Sequence, residues 1–247
     1  MNNSLMGKVA LVTGGSRGIG AAIATRLARD GADVAFTFQR NTARADDVVE
    51  AIKQTGRRAL AIRADSADAD AVIGAVDRTA AELGRLDILV NNAGAYLVGE
   101  FAEFGPADIT QALAVNVRAP FVAAQAATRH LPAGGRIISI GSMVVDRAVF
   151  PGYVLYTTSK AALAGFTKAL GRELGPRSIT VNLVNPGPTD TELNPADGPY
   201  ADVIRGHIAL GAFAAPADVA GAVAFLAGPD AASITGTCIT VDGGFTN

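Results

Sequence analysis

The chain has 247 residues, of which 49% are hydrophobic and 18% charged, a composition that can bury a substantial core and argues against general disorder. Its formal net charge of −2, with no basic run longer than Arg57-Arg58, argues against a surface for nucleic acid or anionic lipid. The single cysteine, Cys238, excludes an intrachain disulfide and a thiolate metal cluster, and we expect it in the core of the last strand. We expect no metal site, because His130 and His207 lack the spacing of metal ligands.

No linker-like stretch divides the sequence, and we therefore expect one domain over residues 1–247. There is no apolar run of about 18 residues, and residues 1–8 lack the pattern of a secretory leader. We expect a cytoplasmic protein that acts on a small molecule, without a membrane or nucleic-acid partner.

The first predicted strand, residues 8–12, ends in the glycine-rich turn Thr13-Gly14-Gly15-Ser16-Arg17-Gly18-Ile19-Gly20, and helical periodicity follows it. Glycines allow the backbone to turn tightly and approach a ligand, while a helix N-terminus offers free N–H groups to phosphate. The spacing Gly-x-x-x-Gly-x-Gly differs from the common dinucleotide fingerprint and from a P-loop. We interpret the segment as a nucleotide-binding turn, with a purely structural turn as the alternative.

The same turn contains a competing motif. Gly14-Gly15-Ser16-Arg17-Gly18 satisfies the Gly-x-Ser-x-Gly pattern of a serine hydrolase, in which Ser16 would be the nucleophile. His207 would have to be its base. Two observations argue against this interpretation: no strand precedes the motif to carry an oxyanion loop, and no His-Gly-Gly-Gly element is present.

The second predicted strand, residues 33–38, leads into Gln39-Arg40-Asn41. In dinucleotide-binding folds an acidic residue after this strand holds the ribose 2′-hydroxyl, whereas a basic residue accommodates a 2′-phosphate. Arg40 occupies this region, and Arg17 in the glycine turn supplies a second guanidinium suited to phosphate. We therefore favour NADP(H) over NAD(H) as the cofactor.

Strands and helices then alternate along the chain, which predicts an α/β fold with a parallel sheet covered on both faces. The predicted strands are residues 8–12, 33–38, 59–63, 86–90, 135–140, 178–184 and 237–241. One long helix is predicted over residues 106–129, with Asn116 at its middle, where a buried amide needs a hydrogen-bond partner. Residues 187–213 are interpreted as a flap over the site, with a short helix near 202–210.

The helix predicted over residues 155–174 carries Tyr156 and Lys160, which share a helical face because they are four residues apart. A phenol titrates near 10 in water, so a neighbouring ammonium is needed to favour its ionised form. Ser142 follows the strand at residues 135–140 and would lie at its carboxyl end, where open α/β sheets bind ligands. The Tyr-x-x-x-Lys pair by itself is also compatible with a solvated helix face.

Taken together, these motifs resemble the short-chain dehydrogenase/reductase family over essentially the whole chain, most closely its 3-oxoacyl-[acyl-carrier-protein] reductase-like branch. The resemblance implies a single-domain, Rossmann-type, doubly wound parallel sheet of about seven strands. The matching residues are Thr13-Gly14-x-x-x-Gly18-x-Gly20, Asp65, Asn91-Asn92-Ala93-Gly94, Asn116, Ser142, Tyr156-x-x-x-Lys160, Pro186-Gly187 and Thr189.

The resemblance also implies an activity, which is hydride transfer between a nicotinamide and the carbon of a ketone, a secondary alcohol or an acyl-thioester substrate. Tyr156 would be the general acid or base, Lys160 would lower its pKa and hold the nicotinamide ribose, Ser142 would bind the substrate oxygen, and Asn116 would position a water. The cofactor contacts implied are Gly14, Ser16, Arg17, Gly18 and Ile19 at the pyrophosphate, Asp65 and Ser66 at the adenine, Asn92 and Gly94 at the ribose, and Pro186 and Thr189 at the nicotinamide amide.

Family members are usually tetramers joined partly through the helices around Asn116 and Tyr156, so we expect a homotetramer or a homodimer. The spacing from Ser142 to Tyr156 is one residue longer than in many relatives, and the loop of residues 146–152 is expected to bulge. Asp146, Arg147, Phe150 and Tyr153 are expected to form a mixed wall of the substrate pocket. A regulatory nucleotide-binding protein with little catalysis is the second hypothesis.

Overall fold

The computed structural model describes residues 4–247. At its centre lies one seven-stranded sheet in the order β3-β2-β1-β4-β5-β6-β7, with every neighbouring pair parallel. The predicted fold class is thereby confirmed. The strands are β1 (Val9–Val12), β2 (Asp33–Phe38), β3 (Ala59–Arg63), β4 (Ile88–Asn91), β5 (Arg136–Ile140), β6 (Thr180–Pro186) and β7 (Cys238–Val241).

Helices cover both faces of the sheet, which explains why β1 and β4 are buried at every position instead of alternating between buried and exposed residues. The apolar sides of α1, α2 and α8 pack on one face, and those of α3, α5 and α6 pack on the other. Among residues 4–247, none of the helices combines the length and the hydropathy that a membrane span requires. The helices are α1 (Gly18–Arg29), α2 (Thr42–Lys53), α3 (Ala69–Leu83), α4 (Pro106–Leu113), α5 (Ala119–Ala127), α6 (Val154–Leu174), α7 (Ala201–Arg205) and α8 (Pro216–Ala227).

The sheet reverses its strand order between β1 and β4, because β2 and β3 lie on one side of β1 while β4 to β7 lie on the other. The loops that follow β1 and β4 therefore separate at the carboxyl edge of the sheet and leave a crevice there. Doubly wound sheets bind ligands at such a point. The glycine turn after β1 lies at this crevice.

The single long helix expected over residues 106–129 is interrupted in the structure. A π-helical segment, Ala114–Arg118, separates α4 from α5. Pro120 has no N–H to donate to the carbonyl of Asn116 four residues earlier, which weakens the regular helical pattern at that point. The wider turn contains Asn116, a residue that the sequence motifs had already selected.

The prediction that Cys238 is a core residue is wrong, because its side chain is exposed. It begins β7, which pairs with β6 and forms one edge of the sheet among residues 4–247. Exposed and partly buried residues alternate along β7. An edge strand has a neighbour on one side only, which reduces the cover over its side chains.

Candidate active site and nucleotide cleft

A cleft of about 500 Å³ opens at the carboxyl ends of the central strands. It brings together most of the residues selected from the sequence. Asn116 and Arg40 are not among its lining residues. The selected residues that line it are Gly14, Ser16, Arg17, Gly18, Ile19, Asp65, Ser66, Asn92, Gly94, Ser142, Tyr156, Lys160, Pro186 and Thr189.

The glycine turn at one end of the cleft is braced by side chains from neighbouring strands. The amide of Gly14 donates to the hydroxyl of Thr37 on β2 at 2.9 Å. The side-chain amide of Asn92 donates to the carbonyls of Thr13 and Gly14, at 2.9 and 3.0 Å. Asn92, for which a ribose contact was expected, thus uses its amide N–H groups to hold the turn.

Two features make this turn suitable for a phosphate group. Gly14 and Gly18 have φ angles of 66° and 52°, in the left-handed region that favours glycine. Helix α1 begins at Gly18, and the side chain of the preceding Arg17 makes no capping hydrogen bond. Because Arg17 does not cap the helix with its side chain, it leaves the N-terminal N–H groups of α1 available to donate to a bound anion.

At the outer end of the cleft, the two arginines selected from the sequence are placed differently. Arg17 lines the cleft, whereas Arg40 is exposed and does not. Gln39, which had no predicted role, lines the cleft and donates to the carboxylate of Asp65 at 2.8 Å. Arg17 is therefore the better placed of the two guanidinium groups for contact with a bound phosphate.

A carboxylate from the predicted flap lies against the cations at this end. Glu192 forms a two-oxygen ion pair with Arg44 of α2, and one of its oxygens is 4.0 Å from Arg17. The hydrogen bond and charge of Arg44 lower the pKa of Glu192 below its usual value. The carboxylate of Glu192 thus lies next to Arg17, where the negative charge of a bound ligand would also be attracted.

Asn116 is buried, and its side chain joins three parts of the site. Its amide oxygen accepts from the backbone N–H of Ala95 at 2.8 Å, and its amide nitrogen donates to the carbonyl of Ala95 at 2.9 Å. The same nitrogen donates to the hydroxyl of Ser159 on α6 at 2.8 Å. Asn116 therefore fixes the loop after β4 against the helix that carries Tyr156. Both polar atoms of its side-chain amide have hydrogen-bond partners, as expected for a buried amide.

Tyr156 and Lys160 lie on the same side of α6, with the ammonium nitrogen 5.9 Å from the centre of the phenol ring. Lys160 is only 4% exposed and donates to the carbonyl of Ile140 at 2.8 Å. A Cβ atom added to Gly94 would lie 3.3 Å from the same ammonium nitrogen. The absence of a side chain at Gly94 keeps the space beside the ammonium open to the cleft.

Burial shifts the pKa values of both groups of this pair. Burial raises the pKa of Tyr156 to about 12, although a hydrogen bond with Ser142 acts in the opposite direction. Burial also lowers the pKa of Lys160 to about 8. Both shifts have one cause, since removal from water disfavours the phenolate and the ammonium alike.

The expected wall of the substrate pocket is largely present, with one exception. Arg147, Phe150 and Tyr153 line the cleft, but Asp146 does not. The carboxylate of Asp146 instead accepts from the side-chain amide of Asn185 at 3.4 Å. One nitrogen of the Arg147 guanidinium donates to the backbone oxygens of Phe245 and Asn247, at 2.7 and 3.2 Å.

Sequence reasoning missed Tyr96, which lines the cleft beside Tyr156. The two rings are edge to face, with centroids 5.0 Å apart. The available signal was the position of Tyr96 two residues after Asn91-Asn92-Ala93-Gly94, at the carboxyl end of β4. Tyr153 was expected in the wall, but its contact with Tyr96 could not be read from the sequence.

The hydrolase hypothesis required a base next to Ser16. The ring of His207 instead packs against Phe150 and Phe245, with centroid distances of 5.7 and 5.6 Å. Within residues 4–247 no hydrogen bond joins Ser16 to His207. The arrangement therefore lacks the nucleophile and base contact that the mechanism needs.

The braced glycine turn, the helix N-terminus and the crevice at the switch point define the class: a doubly wound α/β protein of the dinucleotide-binding type. The model of the family described as enoyl-(acyl carrier protein) reductase matches residues 14–246. Solved and curated relatives match over nearly the whole chain.

A short-chain dehydrogenase/reductase from Serratia marcescens is 52% identical, with 99% of this chain and 100% of that chain covered and a TM-score of 0.97. A short chain dehydrogenase from Burkholderia cenocepacia, solved in complex with NADP, is 56% identical with the same coverage and a TM-score of 0.97. The cyclic-di-GMP-binding biofilm dispersal mediator protein of Escherichia coli is 46% identical over 97% of each chain. The chain belongs to the short-chain dehydrogenase/reductase family of oxidoreductases.

Proposed function

We propose that the protein is an NADP(H)-dependent oxidoreductase that interconverts a ketone and a secondary alcohol, with Tyr156 as the group that gives or takes the proton. The observation that carries the proposal is the position of Tyr156 and Lys160 on one side of α6, in the same cleft as the glycine turn. A solvated helix face, the alternative for this pair, does not fit a lysine that is only 4% exposed.

The cleft has the features that a nicotinamide dinucleotide needs. The N-terminus of α1 and Arg17 would hold the phosphates, and the open space above Gly94 would admit the ribose next to Lys160. The relative from Burkholderia cenocepacia, solved with NADP, supports the choice of cofactor. The bound nicotinamide would supply or accept the hydride.

The protein's own residues would supply the proton transfer. Because burial raises the pKa of Tyr156 to about 12, the phenol keeps its proton at neutral pH and is ready to donate it to a ketone oxygen. The hydroxyl of Ser142 acts to stabilise the ionised phenol, and the nearby ammonium of Lys160 favours the same charge. In the oxidative direction the proton would return to the phenolate.

Substitution Tyr156→Phe tests the proposal directly, because it removes the hydroxyl and retains the ring. We expect loss of NADPH consumption with a panel of ketones while the affinity for NADPH, measured by titration of its fluorescence, stays unchanged. Tyr200→Phe, at an exposed tyrosine outside the cleft lining, is the control. Full turnover in the Tyr156 variant would refute the assigned role.

The preference for NADP(H) is tested by comparison of Arg17→Ala with Arg40→Ala. Since Arg17 lines the cleft and Arg40 does not, we expect the first variant to weaken NADPH binding more strongly than the second. Affinities for NADPH and NADH, measured side by side, separate a contact with the 2′-phosphate from a general charge effect. Equal use of both cofactors by the wild type would contradict the preference.

A second candidate is a nucleotide-binding regulator with little catalysis. It is favoured by the 46% identity to the cyclic-di-GMP-binding relative of Escherichia coli. Calorimetric titration with cyclic di-GMP, alone and in the presence of NADPH, tests it. Binding of cyclic di-GMP together with a complete lack of NADPH consumption across the ketone panel would favour the regulator over the enzyme.

We also propose that the protein forms a homotetramer or homodimer. Phe121 of α5 is 55% exposed and packs against Phe166 of α6, at a centroid distance of 5.7 Å. Exposed and partly exposed aromatic surface on two adjacent helices is typical of an interface between subunits. Light scattering coupled to size-exclusion chromatography measures the assembly, and Phe121→Glu should shift it toward the monomer.

A further inference from the structure

We propose that the hydroxyls of Tyr96 and Tyr153 form a second oxygen-binding point of the substrate pocket, which selects neutral ketones that carry another carbonyl or hydroxyl oxygen close to the reacting one. This inference rests on the proposed ketone reduction, and it names the substrate class of that same site. Neither hydroxyl has a part in the proton transfer assigned to Tyr156.

Three of the four tyrosines of the chain meet at this place. The hydroxyl oxygens of Tyr96 and Tyr153 are 2.7 Å apart. Both rings meet the ring of Tyr156 edge to face, at centroid distances of 5.0 and 6.4 Å. Tyr96 and Tyr153 both line the cleft, so a substrate whose carbonyl lies at Tyr156 would have the phenol pair beside it.

The pair has one donor to spare. Each phenol carries one O–H donor, and the single hydrogen bond between the two hydroxyls uses only one of them. The second O–H has no partner in the contacts that the structure gives this pair, and it lies on a wall of an open cleft. A substrate oxygen that accepts this hydrogen bond would give the pair its second partner.

The two tyrosines are held in place before any substrate binds. The side-chain amide of Asn116 forms hydrogen bonds with both the N–H and the carbonyl of Ala95, the residue directly before Tyr96. The N–H of Gly99 donates to the carbonyl of Gly152 at 3.0 Å, which ties the loop of Tyr96 to the loop of Tyr153. A site whose polar groups are already positioned loses less entropy when it binds a substrate.

The charge of the surroundings indicates a neutral substrate oxygen. Burial and the hydrogen bond with Tyr153 raise the pKa of Tyr96 above its usual value, so this phenol stays uncharged. Arg147, the arginine that lines the same wall, donates through one nitrogen to the backbone oxygens of Phe245 and Asn247. Lys160 is buried against the carbonyl of Ile140. The phenol pair itself is uncharged and offers a carboxylate no counter-charge, whereas a ketone or hydroxyl oxygen needs only a donor.

The test compares diacetyl with butanone, two ketones that share a carbon skeleton and differ by one carbonyl oxygen. Initial rates of NADPH consumption are measured for the wild type and for the double variant Tyr96→Phe/Tyr153→Phe, which keeps both rings and removes both hydroxyls. Thr128→Val is the control, because it removes a hydroxyl that lies outside the cleft lining and donates to the carbonyl of Gln125.

A lost hydrogen bond from a positioned donor is worth about tenfold in rate. We expect kcat/KM for diacetyl to fall about tenfold in the double variant, with butanone unchanged and the control equal to the wild type. An equal loss for both ketones, or no loss for either, would overturn the inference while the proposed ketone reduction stands. If none of the ketones tested supports NADPH consumption by the wild type, the proposed function fails and the inference fails with it.

Discussion

The buried ammonium of Lys160 makes a prediction about stability that is independent of catalysis. Substitution Lys160→Met replaces the charged side chain by an apolar one of similar length. Burial lowers the pKa of Lys160 from 10.5 to about 8, a shift of about 2.5 units that corresponds to about 3 kcal/mol against the charged form. Loss of the hydrogen bond to Ile140 offsets part of the gain in the variant, by about 1 to 3 kcal/mol.

The dependence on pH separates the two contributions. Below about pH 8 the lysine is protonated in both the folded and the unfolded wild type, so the cost of the buried charge is present in full. Between about pH 8 and pH 10.5 the unfolded chain binds the proton more strongly than the folded one, and the wild type gains stability as the pH rises. Methionine does not titrate, so the variant lacks this gain.

Urea unfolding of both proteins from about pH 6.5 to pH 9.5 measures the effect. We expect the free energy of unfolding of the wild type, relative to the variant, to rise by about 2 kcal/mol over the upper half of this range. Lys168→Met, at an exposed lysine of the same helix, is the control and should show no such rise. A difference between wild type and Lys160→Met that is flat or falls with pH would refute the reasoning.

Two further predictions concern the cofactor end of the cleft. Gly20→Ala would press a Cβ atom against the carbonyl oxygen of Gly14 in the glycine turn. We expect the unfolding free energy, measured in urea, to fall by about 2 to 4 kcal/mol. We also expect loss of NADPH binding, measured by fluorescence titration. Gly74→Ala is the control on α3, where an added Cβ atom would meet no other atom within 4 Å, and it should instead stabilise the protein by up to about 1 kcal/mol. Equal effects of the two substitutions would contradict the argument that the Cβ atom at position 20 is too close to its neighbours. Glu192→Gln removes the carboxylate that competes with a cofactor phosphate for Arg17. We expect NADPH to bind about fivefold more tightly, because the loss of one exposed ion pair is an effect of this size. Glu82→Gln, in an exposed pair on α3, should leave the affinity unchanged, and an unchanged or weaker affinity of the Glu192 variant would contradict the competition.

The differences between expectation and structure share a pattern. The π-helical segment around Asn116 had a local signal in Pro120, which the helical periodicity of residues 106–129 obscured. The exposure of Cys238 depends on its strand being an edge, which is a property of the sheet and not of the strand. Arg40 follows β2 as expected, yet its side chain does not line the cleft, since direction at a strand end is set by the turn that follows.

The sequence alone determined the strand and helix alternation, the glycine turn and the shared face of Tyr156 and Lys160, because each depends on residues that are near neighbours in the chain. Only the tertiary structure decided the contacts between distant segments. Tyr96 and Tyr153 are 57 residues apart and Asn116 and Ser159 are 43 apart, and no local periodicity encodes such pairs. The degree of burial that raises the pKa of the phenol and lowers that of the ammonium is likewise a property of the packed molecule, since water is excluded only when all the surrounding elements come together.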